Sequence, residues 1–188
     1  AHSVLVACPA KDEEEIFNST GIACFPGPEE DVLARLLLAA RHEGAALVVR
    51  VTADCPFVCP EMIDNLIRIA QMQICTDGPD ADDPIPVGVV TNTQRRTFPD
   101  GMDLEVYDVN FLEMLNDELD ESHHAKQRAD FYTFILKHRH DHVLNVAGEK
   151  DLSHMRLTVD YNEDLQLAKA VYGSLGDFFS YKKLIKWL

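Results

Sequence analysis

Three stretches of this sequence set charged side chains where a reaction on phosphate could be run. The first is Arg50-Val51-Thr52-Ala53-Asp54-Cys55-Pro56, where Asp54 follows a strongly apolar run. A carboxylate in that place suits Mg²⁺, a hard cation that takes one or two carboxylates and completes its shell from water and substrate phosphates. A turn or helix-capping aspartate fits the same spacing. The second stretch, Thr91 to Glu105, carries Asn92, the paired Arg95 and Arg96, and the acids Asp100, Asp103 and Glu105. Paired guanidiniums suit phosphate or carboxylate. A polar surface hairpin turned by Pro99-Asp100-Gly101 accounts for the same composition. The third, Asp151 to Leu165, holds His154, Arg156 and Asp160. Asp160 with Glu163 three residues on also reads as a capping box, which does not preclude metal binding.

Other candidates carry less. His138, His140 and His142 alternate with Arg139 and Asp141 and read as a solvated helix end, as do His123 and His124. Cys55 and Cys59 have no second pair to complete a zinc site. There is no G-x-G-x-x-G, no P-loop and no G-x-S-x-G.

The elements that must position these residues alternate in type. Ser3–Cys8 and Ile22–Phe25 read as short strands, separated by the acidic Lys11–Glu15 segment, a turn or short helix. Glu29–Glu43 places Val32, Leu33, Leu36, Leu37 and Ala40 at helical spacing, with Gly44 as its C-cap. Ala46–Val51 is the strongest strand and reads as central and parallel. A helix over Pro60–Met72 follows, then an exposed loop over Cys75–Pro86 rich in Asp and Pro. Val87–Val90, Leu104–Tyr107, Val143–Val146 and Arg156–Val159 are further strand candidates; Phe111–Asp120, Ala125–His138, Glu163–Leu175 and Tyr181–Leu188 read as helices. The pattern predicts an α/β fold, a mostly parallel sheet with helices on both faces, in a single domain over residues 1–188. Ligands in such sheets bind beyond the carboxyl ends of the strands, where Asp54 and Asp160 fall.

Composition narrows the function. The 188 residues carry 17 Lys plus Arg against 32 Asp plus Glu, a net charge of −15. That field repels nucleic acid and excludes a polybasic membrane anchor. An anionic substrate must then be met by a few placed cations or by a metal. Five cysteines, an odd number, point to reduced thiols in a cytoplasmic protein. No apolar run reaches the ~18 residues that span a bilayer.

Taken together, Glu30-Asp31-Val32-Leu33-Ala34-Arg35, Val49 to Pro56, Thr91 to Val106, and Asp151 to Leu165 resemble the cytidylyltransferase family of spore-coat polysaccharide biosynthesis proteins and acylneuraminate cytidylyltransferases. The stretches fall in the family's order over nearly the whole chain. The resemblance implies a Rossmann-like nucleotide-diphosphosugar transferase fold. It implies transfer of a cytidylyl group from CTP to an acidic or modified sugar, with release of pyrophosphate. It implies Asp54 and Asp160 as ligands of Mg²⁺, and Arg95, Arg96, Asp100, Asp103 and Glu105 on the acceptor side with His154 and Arg156 beside them. Arg96 and Asp103 join the two metal aspartates as the catalytic set. Arg50 and Asn92 fall in the matching segments as substrate contacts, and Arg35 on the nucleotide side. Homodimers are common among related folds, and the apolar Leu184, Ile185, Trp187 and Leu188 suit such association.

The sequence also departs from that pattern. The family's opening strand and its Gly-, Arg-, Pro- and Lys-rich phosphate loop do not precede Ser3. Lys126-Gln127-Arg128-Ala129-Asp130 stands where relatives show Glu-His-Val-Thr, and Arg128 takes the histidine position. Cys59 replaces an aspartate. These departures leave two further readings open: a non-catalytic sugar-nucleotide-binding or scaffolding domain, and a nucleotidyltransferase or glycosyltransferase that uses another nucleotide.

Overall fold

The structure, a computed structural model, describes residues 3–74, 87–120 and 123–188. The loop expected over Cys75–Pro86, with Asp77, Asp80, Asp82 and Asp83, lies outside the described residues. The chain folds into two compact units, and it enters each of them twice.

The first unit takes Ala1–Val48 and Asp108–His140. Strand β1 (Val6–Pro9) leads through a short 3-10 turn into helix α1 (Glu13–Thr20), which ends on Gly21 at φ +67°. Strand β2 (Cys24–Gly27) returns parallel to β1, with Val6 opposite Cys24 and Cys8 opposite Pro26. Helix α2 (Val32–Glu43) starts at Asp31, whose carboxylate accepts the Ala34 N–H at 2.9 Å, and stops at the left-handed Gly44. Of the predicted apolar stripe Leu33, Leu37 and Ala40 are buried and Val32 and Leu36 half-buried, while Ala39, outside it, is buried as well. Each large aliphatic residue removed from water this way contributes roughly 1.5–3 kcal/mol. Helix α4 (Val109–Glu118) packs on α2 through Phe111, Leu112 and Leu115, and an Arg41–Glu113 ion pair closes the rim of the contact.

The single helix expected over Ala125–His138 is two. Helix α5 (Ala125–Ala129) breaks at Asp130, and α6 (Phe131–His138) restarts there, with the Asp130 carboxylate accepting the Thr133 N–H at 3.3 Å. Capping at Asp130 competes with continuation and wins because it satisfies one of the new helix's unpaired N–H donors.

The second unit takes Val49–Tyr107 and Asp141–Leu188. Strands β3 (Leu47–Arg50), β4 (Val89–Thr91), β5 (Glu105–Asp108) and β6 (Val143–Asn145) form a sheet in the order β3-β5-β4-β6. β4 runs parallel to β6 and antiparallel to β5. The fold is α/β as expected, and the four-stranded sheet is mixed, since β5 opposes β4 in direction. β3 differs from its expectation: it stands at the end of this strand order, and all four of its residues are only half-buried. An apolar run reports that a strand is largely covered, not which neighbours pair with it. Helix α3 (Pro60–Ile74) lies against β4 through its buried Met62, Leu66 and Ala70. Helices α7 (Asn162–Leu175) and α8 (Tyr181–Trp187) complete the unit. Arg156–Val159 is not a strand; among the described residues its ladder contact is a single bridge from Arg156 to Asp100.

No described helix is long and apolar enough to cross a membrane.

Candidate functional site

The second unit gathers the three chemistry-bearing stretches through their backbones. β3 delivers the chain into a turn in which the Cys55 N–H donates to the Thr52 carbonyl at 3.1 Å. Asp54 sits in that turn, half-buried. Its backbone carbonyl accepts the Val159 N–H at 2.9 Å, so the residue before Asp160 is tied to the residue that carries the other carboxylate.

The second stretch is pinned to the third. Asp100 donates its N–H to Met155 at 2.8 Å and accepts from Leu157 at 2.6 Å. Pro99-Asp100-Gly101-Met102 closes a turn with a 3.2 Å bond from the Met102 N–H to the Pro99 carbonyl. Gly101 takes φ +93°, and a Cβ there would lie 2.4 Å from the Thr158 nitrogen. Only glycine allows this approach. Thr97 and Val146 add further links, to Leu152 and Thr91.

Side chains within this frame pair largely with one another. Arg96 forms a two-pronged pair with Asp103, at 2.5 and 2.8 Å, and reaches Asp100 at 3.0 Å. The bond to Asp103 outweighs burial and raises the Arg96 pKa. Arg50 donates to Glu105 at 2.7 Å, and the Tyr107 hydroxyl donates to the same oxygen at 2.6 Å. Glu105 is buried, so this is an interior ion pair with an added hydrogen bond. Asn92 is also buried, and both ends of its amide are used: it donates to the Met102 carbonyl at 2.8 Å and accepts the Leu104 N–H at 2.9 Å.

Around Asp160 the predicted capping box is shifted. Asp164, not Asp160, does the capping: its carboxylate accepts the N–H groups of Asp160 and Tyr161, both at 2.9 Å. Those two bonds, with Arg156, hold the Asp164 carboxyl below its ordinary pKa. Glu163 falls one position short of this role. The Asp160 carboxylate is thereby spared from capping and pairs with Arg156 at 2.5 Å; the guanidinium also reaches Asp164 at 3.0 Å and lies 5.5 Å from the Tyr161 ring centre.

Arg95 and His154 show no ion pair among the described residues and are exposed. Both lie close enough to Asp151 to help depress its carboxyl pKa, after the larger effect of the Ser153 hydroxyl and amide. Arg95 is the charged group of the predicted set most open to an incoming anion. Arg35 belongs to the first unit, where its guanidinium donates to the carbonyls of Pro28 and Glu29 at 2.6 and 3.0 Å.

Asp54 and Asp160 are the residues that would hold Mg²⁺, the metal the resemblance implies. No group of three or more His, Cys, Asp or Glu gathers around one point among the described residues. Two hard carboxylates on adjoining backbone match a cation that keeps most of its shell for water and phosphate. Two residues before Asp160, the Thr158 hydroxyl oxygen is buried without a partner, an acceptor or donor available to bound water.

Two residues singled out as departures have local roles. Arg128 is buried, with Nε donating to Asp31 at 2.6 Å, Nη1 to the Leu119 carbonyl at 2.6 Å and Nη2 to Asn116 at 3.0 Å. It locks α5 to the α2 cap and to the end of α4. Cys59 is the residue before α3, and its carbonyl opens that helix by accepting from Met62 and Ile63. Burial, with the charge of Glu61, pushes its thiol pKa up to about 11. Sequence reasoning missed Gly101, Asp164 and the surroundings of Cys55; of these only Gly101, inside a Pro-Asp-Gly turn, left a local signal.

Comparison with known proteins adds to this geometry. The family model described as cytidylyltransferase matches residues 1–156. The spore coat polysaccharide biosynthesis protein SpsF of Bacillus subtilis is 24% identical over 188 aligned residues, covering 93% of this chain and 69% of that protein. An uncharacterized protein of Methanocaldococcus jannaschii is 35% identical over 69 residues, 35% of this chain and 28% of that one. A solved cytidylyltransferase structure from Leptospira borgpetersenii superposes with a TM-score of 0.78 at 27% identity, covering 94% of this chain and 70% of that one. The chain thus spans less than a third of one relative and about seven-tenths of the other two.

Proposed function

The chain belongs to the cytidylyltransferase family, and from that premise we propose that it serves transfer of a cytidylyl group from CTP to a sugar in surface-polysaccharide synthesis. The sugar hydroxyl oxygen bonds to the α-phosphorus, the bond to the pyrophosphate oxygen breaks, and pyrophosphate leaves. The observation that carries this reading is the Val159–Asp54 backbone bond, which ties the turn of one carboxylate to the residue before the other.

In this reading Asp54 and Asp160 hold Mg²⁺. When bound, Mg²⁺ neutralises charge on the phosphate oxygens and aligns the triphosphate. Arg95 and His154 meet the acceptor's anionic or hydroxyl groups. Asp103 and Asp100 fix the plane of Arg96, so that its remaining donors point one way. Arg50–Glu105 and Asn92 keep the end of β4 and the start of β5 rigid beneath them. Use of CTP and reduced thiols fits a cytoplasmic protein.

One observation favours a second reading. The Asp160 carboxylate is already neutralised by Arg156, and Arg96 by Asp103. A site whose charges satisfy each other also suits a non-catalytic domain that binds a sugar or a partner.

Calorimetric titration of the chain with CTP, with and without Mg²⁺ and beside UTP and ATP, separates the readings. Mg²⁺-dependent binding selective for CTP, lost in Asp54→Asn while the thermal melt is retained, is the expected outcome. Binding without release of pyrophosphate would support the non-catalytic reading. A preference for UTP or GTP would favour a relative that uses another nucleotide. Unchanged Mg²⁺ dependence in Asp54→Asn would remove the metal assignment.

A further inference from the structure

Cys55 takes no part in the function proposed above, yet its thiol lies among the groups that function needs. The side chain is only 5% exposed. Its Sγ lies 3.1 Å from the Thr52 hydroxyl and 3.6 Å from Asp54 Oδ1. The Asp103 backbone amide is within hydrogen-bonding reach of the same sulfur. In this geometry the thiol donates to the Asp54 carboxylate.

We propose that Cys55 is the positioning residue for the Asp54 carboxylate: the buried S–H holds Oδ1 in one orientation and couples it to Asp103, the partner of Arg96. The proposal rests on the reading of Asp54 as a Mg²⁺ ligand. The physical need is plain. Asp54 is half-buried in a turn and makes no ion pair among the described residues, so little else restrains its side chain. A carboxylate that holds a metal at a fixed point gains from a neighbour that limits its rotation before binding. A buried neighbour does this better than an exposed one, because its own rotamer is set by packing. The thiol has a second consequence. Thr52, Asp54 and Asp103 are brought to one sulfur, so the turn after β3 and the segment carrying Arg96 and Asp103 cannot shift independently.

Two measurements test this, and the first needs neither nucleotide nor metal. Denaturant unfolding of the chain is followed for Cys55→Val, Asp54→Ala and the double variant. Cys55→Val removes the donor and adds one methyl group, and Cys55→Ala, smaller than cysteine, replaces it if the valine variant does not unfold cooperatively. Non-additive midpoints are expected, since the two side chains meet directly. Additive midpoints would overturn the proposal. The second measurement is Mg²⁺-dependent CTP binding by calorimetry. Cys55→Val weakens it by about 10- to 100-fold, and Cys55→Ser, which restores a donor, recovers most of that loss. Equal losses in the valine and serine variants would mean that packing alone is at work, and the positioning role would be wrong. If the unmodified chain shows no Mg²⁺-dependent binding, the proposed function fails, while the unfolding cycle still decides whether Cys55 restrains Asp54.

Discussion

Gly101 marks how closely two parts of the second unit approach. Its φ of +93° strains any other residue, and a methyl group there would press on the Leu157 and Thr158 backbones at 2.4–2.9 Å. Those neighbours are main chain and cannot rotate away. Gly101→Ala is therefore expected to destabilise the chain by about 2–4 kcal/mol, the sum of a left-handed backbone cost and overpacking. It is also expected to loosen the Arg96–Asp103 region, because the Pro99–Met102 turn must lift. Denaturant unfolding measures the first effect; a loss below about 1 kcal/mol would show that the turn tilts without strain. Cys59 makes a separate prediction at the alkaline end. Its folded pKa is about 11 against an ordinary 9.0, raised by burial and then by Glu61. For an acid with a raised folded pKa, the contribution to stability is complete below the unfolded value and is lost as pH rises through the folded one. Stability that depends on Cys59 thus declines from pH 9.0 to about 11. The difference in unfolding free energy between Cys59→Val and the unmodified chain, followed from pH 8 upward, is expected to change in that window. The other groups that titrate there are common to both chains, but Tyr172 and Tyr181 feel the Cys59 charge and so belong to the difference. A constant difference would show that Cys59 ionises no later than in the unfolded chain.

At the scale of elements, legibility follows how local the cause is. Helix α2 is readable because everything that defines it lies within its own length: the Asp31 cap, the apolar stripe and the left-handed Gly44. The ends of β3 and of the Arg156–Val159 run are readable for the same reason, so Asp54 and Asp160 could be singled out. What the runs do not reveal is their pairing. β3 stands at the end of its sheet, and Arg156–Val159 makes one bridge to Asp100 and otherwise lies against Gly101. Both outcomes depend on residues dozens of positions away. The arginines show a related limit. Arg96, Arg50 and Arg156 read as anion binders in sequence, but the fold pairs each with a carboxylate, near in sequence for Arg96 and Arg156 and distant for Arg50. Arg128 is the clearest instance. In sequence it is an exposed-looking basic residue that departs from a family motif; in the fold it is a buried hub that bonds Asp31, Asn116 and Leu119. Removing it leaves the Asp31 carboxylate and the Leu119 carbonyl without their charged partner. Arg128→Met is expected to cost about 3–5 kcal/mol, the range for breaking one side of a buried ion pair. Arg128→His, the residue type that the resemblance implies at this position, recovers little of this, because an imidazole cannot reproduce the guanidinium fork. Unfolding midpoints of the two variants that match the unmodified chain would show that α5 is held by its apolar contacts alone.

The molecule as a whole carries 32 acids against 17 Lys and Arg, and CTP is itself a polyanion. The summed field of the protein therefore opposes the ligand proposed for it, and the contacts that favour the ligand must act at short range. The two have different dependence on salt. Screening shortens the reach of the field from ~30 Å at 0.01 M to ~10 Å at 0.1 M, while contacts within a few ångström are much less affected. With Mg²⁺ held in excess, raising monovalent salt through this interval is expected to speed CTP association by a few-fold, since the repulsion met on approach is removed first. Dissociation, governed by the local contacts, changes less. This sign is opposite to that of a basic nucleotide- or nucleic-acid-binding protein, whose association slows as salt rises. Stopped-flow association rates across the salt series decide it. A rate that falls with salt would mean that local cations such as Arg95 outweigh the global charge along the path of entry, and that attraction at the site reaches farther than the acidic surface around it.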